Sequence, residues 1–318
     1  ENNSGNAEEN GREEQNLLGK RRKKVTEKTQ AGEKSVKKSF WSKILNRKKS
    51  DKNETWKLVW SDEFDGDKLD LSKWSYWEND YPSKNGNFVD ENGNLVDQYG
   101  FKAKQYYLRD NVKVKNGNLV IELKKEDNKT VKIDGIDRKI LYSSGAIHSK
   151  DKYSVKYGKI EMRAAMPKGI GVWPAFWTWP SDYAIRKIGD PAALEEIDIV
   201  EVYGDNLKEV TGTIHALKAD SQYESFVGNN LRIKKNENLA DFNTYAVEWN
   251  EKEIKWFFNG RNYKTITMKE VAKKTDNTFK LPHYLIINVA LKNTTGSDGD
   301  VDFPTEMKVD YVRVYKKK

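Results

Sequence analysis

The stretch EEIDIVE, residues 195–201, interleaves acids with isoleucine and valine. In a β-strand, side chains alternate between faces with a period of two. Glu196 and Asp198 then share one face, while Ile197 and Ile199 share the other. Glu201 lies an odd number of positions beyond Glu196, so a regular strand would turn it to the opposite side. One extra residue between Asp198 and Glu201 returns it: at a β-bulge two residues oppose one, and the following side chain changes face. The rival register, Glu195 with Glu201, needs no bulge but puts Ile197 and Ile199 on the polar face. The spacing therefore predicts a bulged strand presenting three carboxylates together.

Other runs with the texture of strands surround this one. NLVIEL (118–123), GKIEMRAAM (158–166), YAVEW (245–249), EIKWFF (253–258), YLIINVAL (284–291) and KVDYVRVY (308–315) are short, β-branched or alternating, as strands are. Asn259-Gly260 after EIKWFF is a hairpin signal. Long helical periodicity is lacking. Many short strands over residues 55–318 predict a single all-β domain, a jelly-roll β-sandwich. Residues 1–54 hold 15 basic and 9 acidic residues with few apolar ones, a composition that cannot offset its ordering entropy. They are expected to form a disordered basic tail able to contact an anionic surface. The remainder holds 42 basic and 40 acidic residues. That near-neutral domain lacks the basic groove that phosphate backbones require, so no nucleic-acid partner is expected.

Cysteine is absent and only three histidines occur, which excludes disulfides, thiolate metal sites and cysteine nucleophiles. No apolar run approaches the ~18 residues needed to span a bilayer. In KIEMRAA (159–165), Lys159, Glu161 and Arg163 alternate with Ile160, Met162 and Ala164. The polar set is either a solvated face over a core or a polar floor beneath a ligand groove. Just downstream, PKGIGVWPAFWTWP (167–180) carries Trp173, Trp177 and Trp179. All three share one strand face, which suits flat indoles stacking on sugar rings.

Three crowded acids push one another's pKa values apart, because like charges disfavour joint ionisation. One carboxylate can then be a nucleophile while its neighbour stays protonated, the pair that glycoside hydrolysis needs. Taken alone, ExDxxE also describes a surface strand with scattered acids. The surrounding blocks separate the two readings.

LVWSDEFDGDKLDLSKW (58–74), NVKVKNGNLVIE (111–122), SSGAIHSKDKYSVKYGKIEMRAAMPKGIGVWPAFW (143–177), EIDIVE (196–201), GTIH (212–215), YAVEW (245–249) and FPTEMKVDYVRVY (303–315) occur in one order. In these blocks the chain resembles glycoside hydrolase family 16, particularly its laminarinase-like, bulge-containing branch. The resemblance implies a concanavalin A-like sandwich with a concave substrate groove, and retaining endo-hydrolysis of a β-1,3 or mixed β-1,3/1,4 glucan. It implies Glu196 as nucleophile, Glu201 as general acid and base, and Asp198 between them. It also implies substrate contacts at Asn111, Glu161, Arg163, Trp173, Trp177 and His215. No cofactor is required for catalysis, but a structural calcium at Glu63, Gly117 and Asp310 is implied, away from the reaction. The partner is then a polysaccharide, with the protein expected to be a monomer, secreted or attached to the cell surface, its leader upstream of Glu1. The alternatives are an agar- or carrageenan-type galactan, transglycosylation, or a carbohydrate binder without catalysis. Three departures from the pattern stand out. Glu195, where laminarinases commonly have glycine, is expected to perturb Glu196. Asn243 replaces a histidine, and KNTTGSDGD (292–300) lacks the usual aromatic residue, which bears on specificity.

Overall fold

Alternation of the kind found in KIEMRAA recurs along the chain, and each such run is a strand in the computed structural model. The structure describes residues 56–77, 88–89, 95–96, 104–133, 136–181, 195–217, 223–226, 230–275, 279–292 and 301–318. The expected disordered tail (1–54) and the aromatic-free segment (293–300) lie outside the described residues.

The first strands are β1 (Trp56–Asp62), β2 (Ser75–Tyr76), β3 (Phe88–Val89), β4 (Leu95–Val96), β5 (Gln105–Tyr107), β6 (Val112–Lys115) and β7 (Asn118–Ile133). Next come β8 (Ile136–Ser144), β9 (Ala146–His148), β10 (Gly158–Ala165), β11 (Val172–Pro180), β12 (Glu195–Glu201) and β13 (Glu209–Leu217). The last are β14 (Tyr223–Ser225), β15 (Leu231–Arg232), β16 (Asn243–Trp249), β17 (Glu253–Phe258), β18 (Arg261–Thr267), β19 (His283–Leu291) and β20 (Thr305–Lys317). Among the described residues the one α-helix is α1 (Met268–Ala272), which starts with a capping box between Thr267 and Glu270, and Arg109–Asn111 form a single 3-10 turn.

Two sheets carry the fold. The larger runs β18-β17-β16-β10-β20-β7-β8-β5, with β1 beside β20 and β6 beside β7. The smaller runs β14-β13-β12-β11-β19-β9-β2, with β15 beside β13. The sequence neighbours β16, β17 and β18 form a meander; Asn259 and Gly260 at the second turn both have positive φ, as its tight hairpin requires. Ile160, Met162 and Val312 of the larger sheet pack in one core with Phe176, Ile197, Ile214 and Ile287 of the smaller. The result is the jelly-roll sandwich expected from the strand pattern.

The sheet faces follow from this core. On β11, Val172 and Phe176 enter the core, whereas Ala175, Trp177 and Trp179 join Trp77, Tyr107, Tyr284 and Ile286 in a second apolar cluster on the other side of the smaller sheet. That second face is a built surface with its own packing.

Candidate active site

The register of β12 contains the irregularity its sequence requires. Against β13, Asp198 pairs with Thr213 and Glu201 with Thr211. Ile199 and Val200 together therefore oppose Gly212. Against β11, Phe176 pairs with Val200 and Trp177 with Asp198, which places the extra residue at the same point. Ile197 and Ile199 lie in the core, and beyond the bulge so do Val200 and Val202. In a regular, unbulged strand of this same sequence these valines would turn outward, at a cost of roughly 1.5–3 kcal/mol each. Core packing and bulge are thus coupled, and the bulge carries Glu201 to the side of Glu196 and Asp198.

On that side the acids are enclosed. Glu196 and Asp198 are 6% and 3% exposed, joined by a side-chain hydrogen bond. Across the ladder Glu196 pairs with His215, whose Nε2 lies 2.9 Å from Asp198 Oδ2. His215 Nδ1 meets Ser225 Oγ at 2.8 Å, which orients the ring. Glu201 keeps partial exposure, and Trp173 Nε1 donates to its Oε1 at 3.0 Å. The Lys292 ammonium lies over the rings of Trp173 and Tyr203 at 4.0 and 4.1 Å.

Burial sets the electrostatics. The Asp198 carboxyl is pushed well above the usual carboxylate range by desolvation and then by the charge of Glu201. Glu201 is also raised by burial, against the pull of His215, the Trp173 hydrogen bond, Lys292 and Lys264. The cluster therefore holds protons at a pH where isolated carboxyls would be ionised. An acid kept protonated can donate to a leaving group.

The site residues expected from sequence divide into two groups. Glu196, Asp198, Glu201, His215, Trp173 and Trp177 come together on one face. Trp177 lies deeper than Trp173: it is 6% exposed, tilted against Trp77 at 5.9 Å and Trp179 at 5.4 Å, and donates to Asn288 Oδ1 at 2.8 Å. Trp173 offers the more open ring.

Glu161, Arg163 and Asn111 are corrections. Glu161 and Arg163 lie on β10 of the larger sheet, and their face points away from the core that Ile160 and Met162 enter. They are on the opposite side of the sandwich from Glu196. Glu161 accepts from Tyr311 Oη at 3.0 Å, and Arg163 donates to Asp310 Oδ2 at 2.8 Å. Alternation identified a polar face there, and it is the solvated one. Asn111 has no exposed surface; its amide donates to Glu122 O and Ser143 Oγ at 2.8 and 2.9 Å. It ties strands together beneath the surface and cannot reach a ligand. Glu195 faces the core side of β12, where its Oε2 accepts from Leu281 N at 3.1 Å and lies 3.4 Å from His283 Nε2. The strand separates it from the Glu196 carboxylate.

For the implied calcium, the register brings Glu63 and Gly117 beside Asp310, since Asp62 pairs with Val312 and Leu119 with Val309. Two carboxylates and a backbone carbonyl are hard oxygen donors of the kind calcium takes, so the residues fit in type. Both carboxylates are already held by arginines, Glu63 by Arg313 at 3.0 and 2.8 Å and Asp310 by Arg163. A calcium ion has to displace at least the bidentate one.

Sequence reasoning missed Tyr203, Asn288 and the pair Trp256–Lys264. Asn288, a lone polar residue within YLIINVAL, was a visible signal: it bonds both Trp177 and the Tyr107 hydroxyl. Trp256 and Lys264 sit in strands remote in sequence, and nothing local marks them.

The chain is similar to known proteins over most of its length. The family model for glycosyl hydrolases family 16 matches residues 101–313. The model for beta-glucan synthesis-associated proteins SKN1/KRE6/Sbg1 matches residues 8–181. The glucan endo-1,3-beta-glucosidase A1 of Niallia circulans is 37% identical over 269 residues, covering 81% of this chain and 38% of that protein. The beta-glucanase of Rhodothermus marinus is 33% identical, covering 86% of this chain and 90% of its own length. The solved catalytic domain of an endo-1,3-beta-glucanase (laminarinase) from Thermotoga petrophila RKU-1 superposes with a TM-score of 0.68 at 31% identity, over 83% of this chain and 98% of that one. The chain thus spans well under half of the first relative and nearly all of the other two.

Proposed function

The chain belongs to glycosyl hydrolases family 16, and from that premise we propose that it cleaves β-1,3-linked glucan internally with retention of configuration. The observation that carries this reading is the bulge: it joins Glu201 to Glu196 and Asp198 on the tryptophan-lined face. Relatives named as endo-1,3-beta-glucosidase and laminarinase support the substrate.

In the reaction, the Glu196 carboxylate attacks the anomeric carbon while the Glu201 carboxyl gives its proton to the departing glycosidic oxygen. A glycosyl ester on Glu196 results. Glu201, now ionised, takes a proton from water, and that water attacks the anomeric carbon and releases Glu196. Two inversions give net retention, for which the two carboxyl groups must stand about 5–5.5 Å apart. Asp198 hydrogen-bonds Glu196 and releases it as charge develops, with His215 fixing the Asp198 carboxyl from the other side. Trp173 stacks on a sugar unit and steers Glu201 through its indole N–H. Calcium held by Glu63, the Gly117 carbonyl and Asp310 would brace the outer sheet, apart from these steps. A polymeric substrate supports a place of action outside the cell.

Reducing-sugar release from laminarin, lichenan, agarose and carrageenan tests the substrate. The expected order puts laminarin first and lichenan second; activity confined to the galactans overturns the glucan reading. Proton NMR of the earliest products is expected to show the β-anomer, and α-anomer first contradicts retention.

A further inference from the structure

The bulge that aims Glu201 disturbs the ladder, and a buried polar device lies against its core side. Backbone carbonyls inside a protein need partners, and a bulge leaves part of the ladder unpaired. Two carbonyls at this one are taken by side chains from the other sheet. Trp256 Nε1 donates to Asp198 O at 2.8 Å. Lys264 Nζ donates to Gly212 O at 2.6 Å, and to Phe226 O at 3.0 Å. Gly212 is the residue that faces the two bulge residues across the ladder.

Packing shows that the arrangement is built. Trp256 and Lys264 are cross-strand partners on β17 and β18. Trp256 has no exposed surface and Lys264 only 5%, and the ammonium lies 5.3 Å from the indole centroid. A Cβ at Gly212 would meet the Trp256 ring at 2.2 Å, so glycine is what lets the indole reach the bulge. A buried ammonium is costly, and a chain that needed only a hydrogen-bond donor here could use a neutral one.

We propose that Lys264, with Trp256, is a positioning residue of the catalytic strand: the two hold the bulge in shape from the core side, and the Lys264 cation supplies a fixed positive field beneath Asp198 and Glu201. The proposal rests on the functional reading above and deepens it. Burial brings the Lys264 ammonium down to about 8, while Asp198 and Glu201 hold it up; reciprocally, the cation lowers both acids. Other titratable and charged groups lie on the elements packed around it. They are Glu196 on β12, His215 on β13, Glu224 on β14 with its partner Lys274, Tyr263 on β18, Tyr203 after β12 and Lys292 after β19. None of the other cations is buried as Lys264 is.

Removing the charge while keeping a donor isolates the effect, so Lys264→Gln is the main variant and Lys264→Arg its charge-retaining control. Without the cation Glu201 holds its proton to higher pH, so the alkaline limb of kcat/KM on laminarin moves upward. The same variant should lose about tenfold in kcat, with KM within about twofold, because the loss falls on the chemical step. Lys264→Arg should keep the wild-type limb. Trp256→Phe, which keeps the ring and loses the donor, should lower kcat without moving the limb. An NMR titration of 13C-labelled glutamate, with Glu201 assigned by Glu201→Gln, reads the field without turnover and should show a higher Glu201 midpoint in Lys264→Gln. An unchanged midpoint and limb in a folded Lys264→Gln enzyme, with only a lower Tm, overturns the inference. Wild-type protein inactive on every glucan would instead overturn the functional reading, and the titration would still decide the role of Lys264.

Discussion

Strands β10 and β12 read alike in sequence, each alternating charged with apolar residues, yet one is a solvated outer face and the other a reactive one. On β10 the charges are matched by opposite ones: Lys159 lies 2.9 Å from Glu161, and Arg163 2.8 Å from Asp310. They also keep solvent access. On β12 three acids lie together behind a tryptophan face, and burial raises both Asp198 and Glu201. Period two assigns residues to a face and says nothing about which face meets solvent. What distinguishes a working carboxylate here is a like-charged neighbour and the exclusion of water.

The largest effect should come from breaking the pair itself. Glu196→Gln should lower kcat on laminarin by about 10⁴-fold or more, as expected for losing a nucleophile, with an unchanged circular dichroism spectrum. Glu201→Gln should cost about 10²–10⁴-fold, and least with aryl glycosides whose leaving groups need no protonation.

These predictions rest on features of unequal legibility. The bulge was readable because Glu196, Asp198 and Glu201 fall out of phase. A second signal lies beside it: the core residues switch from odd positions, Ile197 and Ile199, to even ones, Val200 and Val202. The strands and the sandwich were legible from local alternation. The sheet in which β10 lies was not, since strand order depends on pairings with β16 and β20 far along the chain. Asn111 resembled a groove residue, and only its complete burial shows otherwise. Trp256 and Lys264 act across the sandwich, and no local pattern reports such a contact.

Smaller effects sharpen the contrast. Trp173→Phe keeps a ring to stack but loses the donor to Glu201, so the alkaline limb of the pH profile should move upward while KM changes little. Asp198→Asn should alter stability with a definite sign. A carboxyl whose folded pKa is raised stabilises the fold below its unfolded pKa, and that contribution is lost as pH rises through the folded pKa. The asparagine variant should therefore gain Tm over wild type at pH 7 and lose that advantage near pH 4; the reverse order would show that Asp198 is not raised. On β10, Glu161→Gln should leave activity within about twofold and stability within about 1 kcal/mol, as for an exposed ion pair. A large loss of activity there would mean that the outer face takes part in catalysis.

The most direct measurement of the central claim is covalent trapping. A 2-deoxy-2-fluoro laminari-oligosaccharide carrying a good leaving group slows both steps and accumulates the glycosyl-enzyme, which peptide mass mapping then locates. One sugar ester per chain is expected, on Glu196, forming in wild type and absent from Glu196→Gln. An ester on any other carboxylate, or rapid turnover to the α-product with no ester, would contradict it.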